Sequence, residues 1–288
     1  MKVILKSLRP DQWLKNVFVL APLVFARHLF DERLFLTAFT YAFAFCLASS
    51  AVYLINDLFD REQDRAHPDK KNRPLASGEM GVGLAVFLAS GLAAVSLLTA
   101  LSLGRTAGLL LSLYLMNNLL YSLYLKKVVV LDVVLIATGF VLRVLGGAAV
   151  IHVQPSVWLL LCTFLISLFL GFCKRKQERQ TLKTHAPEHR AVLDDYALNY
   201  LDHMISVVSA CTVISYALYT VADATVAKFH TDKLIYTLPF VLYGVFRYMY
   251  HINVLHSRQS TSHILFHDHS LVIDILLWFT VVATIIYF

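Results

Sequence analysis

Tyr53-Leu54-Ile55-Asn56-Asp57-Leu58-Phe59-Asp60-Arg61-Glu62-Gln63-Asp64 joins the end of a long apolar run to the start of a basic loop. The run, 34–57, is long enough to cross a bilayer and carries no charge before Asp57. Continued as a helix, it sets Asn56, Asp60 and Asp64 four residues apart, with Asp57 three before Asp60 and seven before Asp64. A carboxamide and three carboxylates then share one face. Like charges stacked this way repel. A hard divalent cation such as Mg2+ removes that cost, because it takes oxygen ligands, usually one or two carboxylates plus substrate phosphates. The pattern reads as a Mg2+–pyrophosphate site at a membrane surface, with Asn56, Asp57, Asp60 and Asp64 as candidate ligands. The plainer reading is an acidic, solvated helix end.

The rest of the chain agrees with a membrane setting. Of its 288 residues 58% are apolar and 15% charged, and the mean hydropathy is +0.65. Nine runs can span a bilayer: 14–30, 34–57, 81–103, 106–125, 129–151, 156–173, 197–221, 233–253 and 269–288. The expected fold is all-α: a polytopic membrane protein, one domain over 1–288, with nine transmembrane helices around a central cavity open to the cytoplasmic side and the membrane. No cleavable signal peptide is evident. With the N-terminus inside, eighteen of the 25 Lys and Arg fall on cytoplasmic segments. Five lie outside (Arg27, Arg33, Arg105, Lys228 and Lys233), and Arg143 and Arg247 are within spans. That bias predicts a bacterial-type cytoplasmic membrane protein with its active site facing the cytoplasm. The net charge of +6 is then a topology signal, and no nucleic-acid motif accompanies it.

Two polar cytoplasmic loops, 58–80 and 174–196, lie four spans apart, which suggests two four-helix halves. The second begins Lys174-Arg175-Lys176 and ends Asp194-Asp195-Tyr196; Asp195, Asn199 and Asp202 share a helix face beyond it. Arg and Lys beside carboxylates suit a pyrophosphate, whose remaining oxygens they bind. Arg9, Lys15, Lys126, Arg143 and Lys174 are the candidate phosphate contacts. Arg143 sits deep in an apolar span, where a charge is costly unless it faces a polar cavity. Asp132 is a candidate partner or cavity residue, and a structural ion pair is the plainer alternative; Arg247 reads the same way. Cys46, Cys162, Cys173 and Cys211 form no C-x-x-C pair and read as packing residues. His251, His256, His263, His267 and His269 match no metal-ligand spacing and read as a solvated loop.

The acidic stretch matches the N-D-x-x-D-x-x-x-D motif of the UbiA-type prenyltransferase superfamily. Ser7-Leu8-Arg9-Pro10-Asp11-Gln12-Trp13-Leu14-Lys15-Asn16 resembles the opening of its decaprenyl-phosphate phosphoribosyltransferase branch. Asp64-Arg65-Ala66-His67-Pro68, Lys71 and Arg73-Pro74-Leu75-Ala76-Ser77-Gly78 are similar to a run of the same branch. Tyr121-Ser122, Lys126, Asp132, Gly139-Phe140 and Leu142-Arg143 continue the likeness. So do Lys174-Arg175, Glu178, Tyr196, Tyr200-Leu201, Arg247-Tyr248 and Asp268 with Leu271. The resemblance covers almost the whole chain. It adds Asn16, Asn56, Arg65, Lys71, Arg73, Tyr121, Arg175, Tyr200 and Arg247 to the candidate substrate contacts.

The branch implies transfer of 5-phosphoribosyl from phosphoribosyl pyrophosphate to a polyprenyl phosphate, with release of pyrophosphate and Mg2+ as cofactor. Its lipid product is a precursor for cell-wall polymers. The alternative is transfer of a prenyl chain to an aromatic or quinone acceptor; the basic residues Arg9, Lys15, Lys174 and Arg175, suited to a second phosphate, favour the first. Asp194, Asp195 and Asp202 stand where the aromatic-acceptor enzymes carry a second acidic cluster, and are doubtful ligands. A transporter is the non-enzymatic alternative; the carboxylates cluster at a span's end rather than at mid-membrane, which speaks against it. The sequence leaves a homo-oligomer open.

Overall fold

The computed structural model describes residues 2–66, 70–182, 196–255, 264–265 and 267–288. The expectations placed on His67, Asp194, Asp195, His256 and His263 lie outside these residues. Among the described residues every regular element is helical, and seven helices are long and apolar enough to cross a membrane. They gather into two compact units that meet in sequence at Pro155–Ser156, four of the seven in the first and three in the second.

The first unit holds α1 (Lys2–Leu8), a 3₁₀ helix Pro10–Leu20, α2 (Ala21–Phe25), α3 (Glu32–Phe59), α4 (Arg61–Ala66), α5 (Pro74–Ser77), α6 (Val82–Leu103), α7 (Arg105–Leu123) and α8 (Leu131–Val150). Asp31 starts α3 by accepting the Leu34 amide at 3.0 Å, which satisfies one otherwise orphaned donor. Small side chains at Ala38, Ala44, Ala48, Ser49, Ser50 and Ala51 are buried along α3. In lipid, where apolar surface gives no net drive between helices, such residues let backbones approach and gain packing contact. α3 consequently packs on α6, α7, α8 and the 3₁₀ helix. The closest approach is at Gly147 of α8, where a Cβ would lie 1.9 Å from the Val19 carbonyl oxygen.

Two of the nine expected spans differ in form. Residues 14–30 contain the end of the 3₁₀ helix and the short α2; residues 233–253 contain a 3₁₀ turn Lys233–Thr237 and a 16-residue helix. A proline stands in the first turn of each α-helical part, Pro22 and Pro239. It lacks the amide that would extend an α-helix backward, so the preceding turn has a different hydrogen-bond pattern.

The second unit contains α9 (Val157–Leu182), α10 (Leu198–Val221), α11 (Asp223–Phe229), α12 (Leu238–Asn253) and α13 (His269–Tyr287). α9 packs on α10, α10 on α12, and α12 on α13. The expected loop at 174–196 begins later than the sequence suggested, because α9 carries Lys174 to Arg179 as helix. Lys, Arg, Gln and Glu are good helix formers, and Glu178 pairs with Arg175 one turn back at 2.5 Å.

Candidate active site

α3 ends at Phe59 and α4 starts at Arg61, yet the ladder runs through the break: the Asp60 amide donates to the Asn56 carbonyl at 2.9 Å, and the Asp64 amide to the Asp60 carbonyl at 2.8 Å. The acidic residues therefore keep the four-residue stacking expected of one helix. Asp57 and Asp64 are each only 3% exposed, and Asp60 is also buried. A buried carboxylate persists when it is paired and hydrogen-bonded, and each of these has a cation. Arg9 Nη2 donates to both Asp57 oxygens, at 2.5 and 2.7 Å. Arg73 Nη1 bridges Asp57 Oδ1 at 3.1 Å and Asp64 Oδ2 at 2.6 Å. Lys126 Nζ donates to Asp60 Oδ1. Asn56 Oδ1 accepts from the Ser122 hydroxyl at 3.3 Å.

Each cation is delivered by a local feature. Arg9 has φ 51 at the joint between α1 and the 3₁₀ helix, a left-handed backbone that costs a non-glycine residue of order 1 kcal/mol. The bend turns its guanidinium toward Asp57, with the Tyr53 ring 5.2 Å away. Arg73 precedes Pro74, which holds it extended (φ −69, ψ 142). Lys126 is buried in the 3₁₀ turn Leu125–Lys127 that follows α7.

Two carboxylates converging on one Arg73 nitrogen form a donor pair that suits Mg2+, which needs only one or two protein carboxylates and completes its octahedron with water and phosphate. Among the described residues no three His, Cys, Asp or Glu side chains converge on one metal position. The remaining ligands would come from substrate and solvent. Asn56 and Asp60, also expected as ligands, accept from the Ser122 hydroxyl and from Lys126.

Deeper along α3, Asn16 and Arg143 are brought together, although 127 residues separate them in sequence. Arg143 Nε donates to Asn16 Oδ1 at 2.8 Å, Nη1 to the Gly139 carbonyl at 2.9 Å, and Nη2 to the Tyr114 hydroxyl at 2.9 Å. The ion pair with Asp132 does not form; Asp132 is buried in the first turn of α8. Tyr114, Tyr53 and Ser122 belong to this neighbourhood and were missed as site residues in the sequence, where an aromatic or serine in an apolar span carries no signal. Several expected residues have other surroundings. Arg65 braces the loop, donating to the Ala76 carbonyl at 3.1 Å and pairing with Glu62. Lys71 is exposed, Lys15 and Tyr121 half-buried.

In the second unit, Arg175 is buried and paired with Glu178, while Lys174 is exposed. Lys176 pairs with Asp202 and donates to Asn253 Oδ1 at 2.5 Å. Tyr200 is exposed and stacks near Tyr196, with ring centroids 6.2 Å apart. Arg247 finds the ion-pair alternative: its Nη2 donates to Asp268 Oδ2 at 2.8 Å, and His251 Nε2 bonds the same oxygen at 2.7 Å. Asp268 also caps α13 through the Leu271 amide at 2.8 Å. The Arg247 hydrogen bond, aided by the Leu271 amide and opposed by burial, holds the Asp268 carboxyl well below the usual carboxylate range.

A model of the UbiA prenyltransferase family matches residues 16–278. A Corynebacterium glutamicum protein named decaprenyl-phosphate phosphoribosyltransferase is 36% identical over 75% of this chain and 66% of its own length. One of the same name from Mycolicibacterium smegmatis is 32% identical over 99% of this chain and 92% of its own. The solved structure of a UbiA homolog from Archaeoglobus fulgidus bound to DMAPP and Mg2+ superposes with a TM-score of 0.74, covering 98% of both chains at 20% identity. That likeness concerns the fold alone. With the family match running over most of its length, the chain belongs to the UbiA prenyltransferase family.

Proposed function

We propose that this protein transfers 5-phosphoribosyl from phosphoribosyl pyrophosphate to a polyprenyl phosphate of decaprenyl type and releases pyrophosphate. The observation that carries the reading is the 32% identity, over 99% of the chain, to a relative named for that transfer. The geometry agrees with it. Asp57, Asp60 and Asp64 are balanced by Arg9, Arg73 and Lys126, a site in which each cation exchanges a carboxylate for a phosphate oxygen. Asp57 and Asp64 would hold Mg2+, whose charge, when bound, offsets that of the leaving pyrophosphate. Arg73, released from both carboxylates, and Arg9 then bind the remaining pyrophosphate oxygens. The bond from the anomeric carbon to pyrophosphate breaks with its electron pair on the leaving oxygen. A lipid phosphate oxygen, ionised at neutral pH, forms the new bond. No general base is needed, and positioning and charge stabilisation supply the catalysis.

The same reading includes nine spans and a cytoplasmic active site. Lys6 Nζ donates to the Asn72 carbonyl at 2.8 Å, so α1 and the loop after α3 share one side of the membrane. α3 crosses once between them, and a second crossing by 10–30 restores the side. Likewise Lys176 near the end of α9 meets Asn253 at the end of α12, which supports crossings by both α10 and the 233–253 segment. The lengths suffice: 11 residues of 3₁₀ helix and 5 of α-helix span about 30 Å, the thickness of the hydrocarbon core. The family match crosses both units, which favours one functional domain.

Purified protein with Mg2+ and polyprenyl phosphate, given phosphoribosyl pyrophosphate labelled in the ribose, should move label into the lipid phase. Label transfer from a prenyl pyrophosphate to an aromatic acceptor, with none from the ribose donor, would replace this reading by prenyl transfer.

A further inference from the structure

Arg143 is only 5% exposed and Asn16 only 1%. A guanidinium carries five N–H donors and no acceptor. Three are used, by Asn16 Oδ1, the Gly139 carbonyl and the Tyr114 hydroxyl. All three acceptors are neutral. One N–H on each Nη remains. The rings of Tyr114, Phe140 and Phe45 surround the charge at 4.6, 5.1 and 5.8 Å, which eases its burial without neutralising it. A full charge kept inside a membrane span with neutral partners alone is costly, and such a residue marks a ligand pathway or site.

The setting is built, not incidental. Asn16 is itself fixed by α3, its Nδ2 donating to Ser49 Oγ at 3.2 Å and Cys46 Sγ at 3.3 Å. That leaves its oxygen aimed at Arg143 Nε. Ser49 lies eight residues before Asp57 on the same helix, about 12 Å along its axis. Tyr53, midway between them on α3, has the Arg9 guanidinium 5.2 Å from its ring centre. The Asn16–Arg143 contact therefore sits about two helical turns along α3 from the acidic motif. The planar fork, with one free donor on each terminal nitrogen, matches two oxygens of a tetrahedral oxyanion.

We propose that Asn16, Arg143 and Tyr114 form a second anion subsite that takes a phosphate monoester, distinct from the pyrophosphate held by the acidic motif. This rests on the transfer reading above, in which two groups have that chemistry: the 5-phosphate of the donor and the phosphate of the lipid acceptor.

The test uses the full-length protein in detergent or lipid. Arg143→Met removes the charge and keeps much of the volume. The ligand-free variant should unfold at a temperature equal to or above that of the wild type, since an uncompensated charge is gone. Millimolar inorganic phosphate should raise the unfolding temperature of the wild type more than that of the variant, whether or not the transfer reading holds. In turnover, KM for one substrate should rise at least tenfold with the other unchanged: a rise for phosphoribosyl pyrophosphate assigns the subsite to the 5-phosphate, a rise for polyprenyl phosphate to the lipid. Tyr114→Phe, which keeps the ring, should shift the same KM in the same direction by a smaller factor, and covers the case of a variant that fails to fold. Equal stabilisation by phosphate in wild type and variant, or KM values unchanged or raised alike for both substrates, would overturn the subsite. A wild type that stabilises with phosphate through Arg143 but moves no ribose label would instead sink the transfer reading and leave the subsite standing.

Discussion

Arg73 holds Asp57 and Asp64 with one nitrogen, which makes it the residue through which the acidic motif rests and is released. Asp57→Asn should lower kcat at least about 100-fold, the scale seen when one group aimed at transition-state charge is removed; steady-state rates at saturating Mg2+ check it, and wild-type turnover would remove Asp57 from the site. Lys126 and Asp60 form a buried pair. Lys126→Met leaves Asp60 unpaired and should cost about 3 kcal/mol or more. Adding Asp60→Asn should recover most of that stability and none of the activity, as thermal unfolding and turnover of the double variant would show. At this scale the sequence was informative where chemistry is local. The carboxylate spacing, Arg9 and Lys126 could be read because charges at a span's end demand an explanation, whereas Arg73 entered only through the family resemblance. The Asn16–Arg143–Tyr114 contact could not, since it depends on how three distant segments pack. Asp132 and Arg143 stand eleven residues apart on α8, about 16 Å along its axis, too far for a direct ion pair.

Among the elements, α8 and the 3₁₀ helix meet where Gly147 faces the Val19 carbonyl at 1.9 Å from a notional Cβ. Backbone cannot yield as a flexible side chain does, so Gly147→Ala should destabilise by about 1–3 kcal/mol and loosen Asn16, which the 3₁₀ helix carries. Thermal unfolding reads the first effect and KM the second. α13 depends on Asp268, whose carboxyl is held in its charged form by Arg247 first and by the Leu271 amide. A carboxyl with a depressed folded pKa contributes stability that is fully present above its unfolded value, about 3.9. The contribution is lost as pH falls from there toward the folded value. Unfolding temperature should thus decline more steeply below about pH 4 in wild type than in Asp268→Asn, which keeps a capping oxygen but has no charge to lose. Equal slopes would show that Arg247 and His251 do not stabilise the carboxylate. Element type was legible from apolar run length alone. The extension of α9 through Lys174–Arg179 was not, because charge there signals the membrane boundary and says nothing of where the helix stops.

For the whole molecule, the UbiA fold carries the proposed transfer, and the proposed crossing by 10–30 puts α1 and the loop after α3 on one side of the membrane. Single cysteines placed at the exposed positions Leu5 and Ser77 in a cysteine-free background should respond alike to a membrane-impermeant maleimide, silent in intact cells and labelled after permeabilisation. Opposite responses would remove the crossing by 10–30. The central claim is the identity of the transferred group, and the mass of the lipid product tests it most directly. Wild-type protein, phosphoribosyl pyrophosphate, Mg2+ and a polyprenyl phosphate of defined length should yield a lipid heavier than the acceptor by one ribose 5-phosphate less water. The product should be absent with Asp57→Asn. An acceptor of unchanged mass, alongside a prenylated aromatic formed when prenyl pyrophosphate is supplied, would contradict the account.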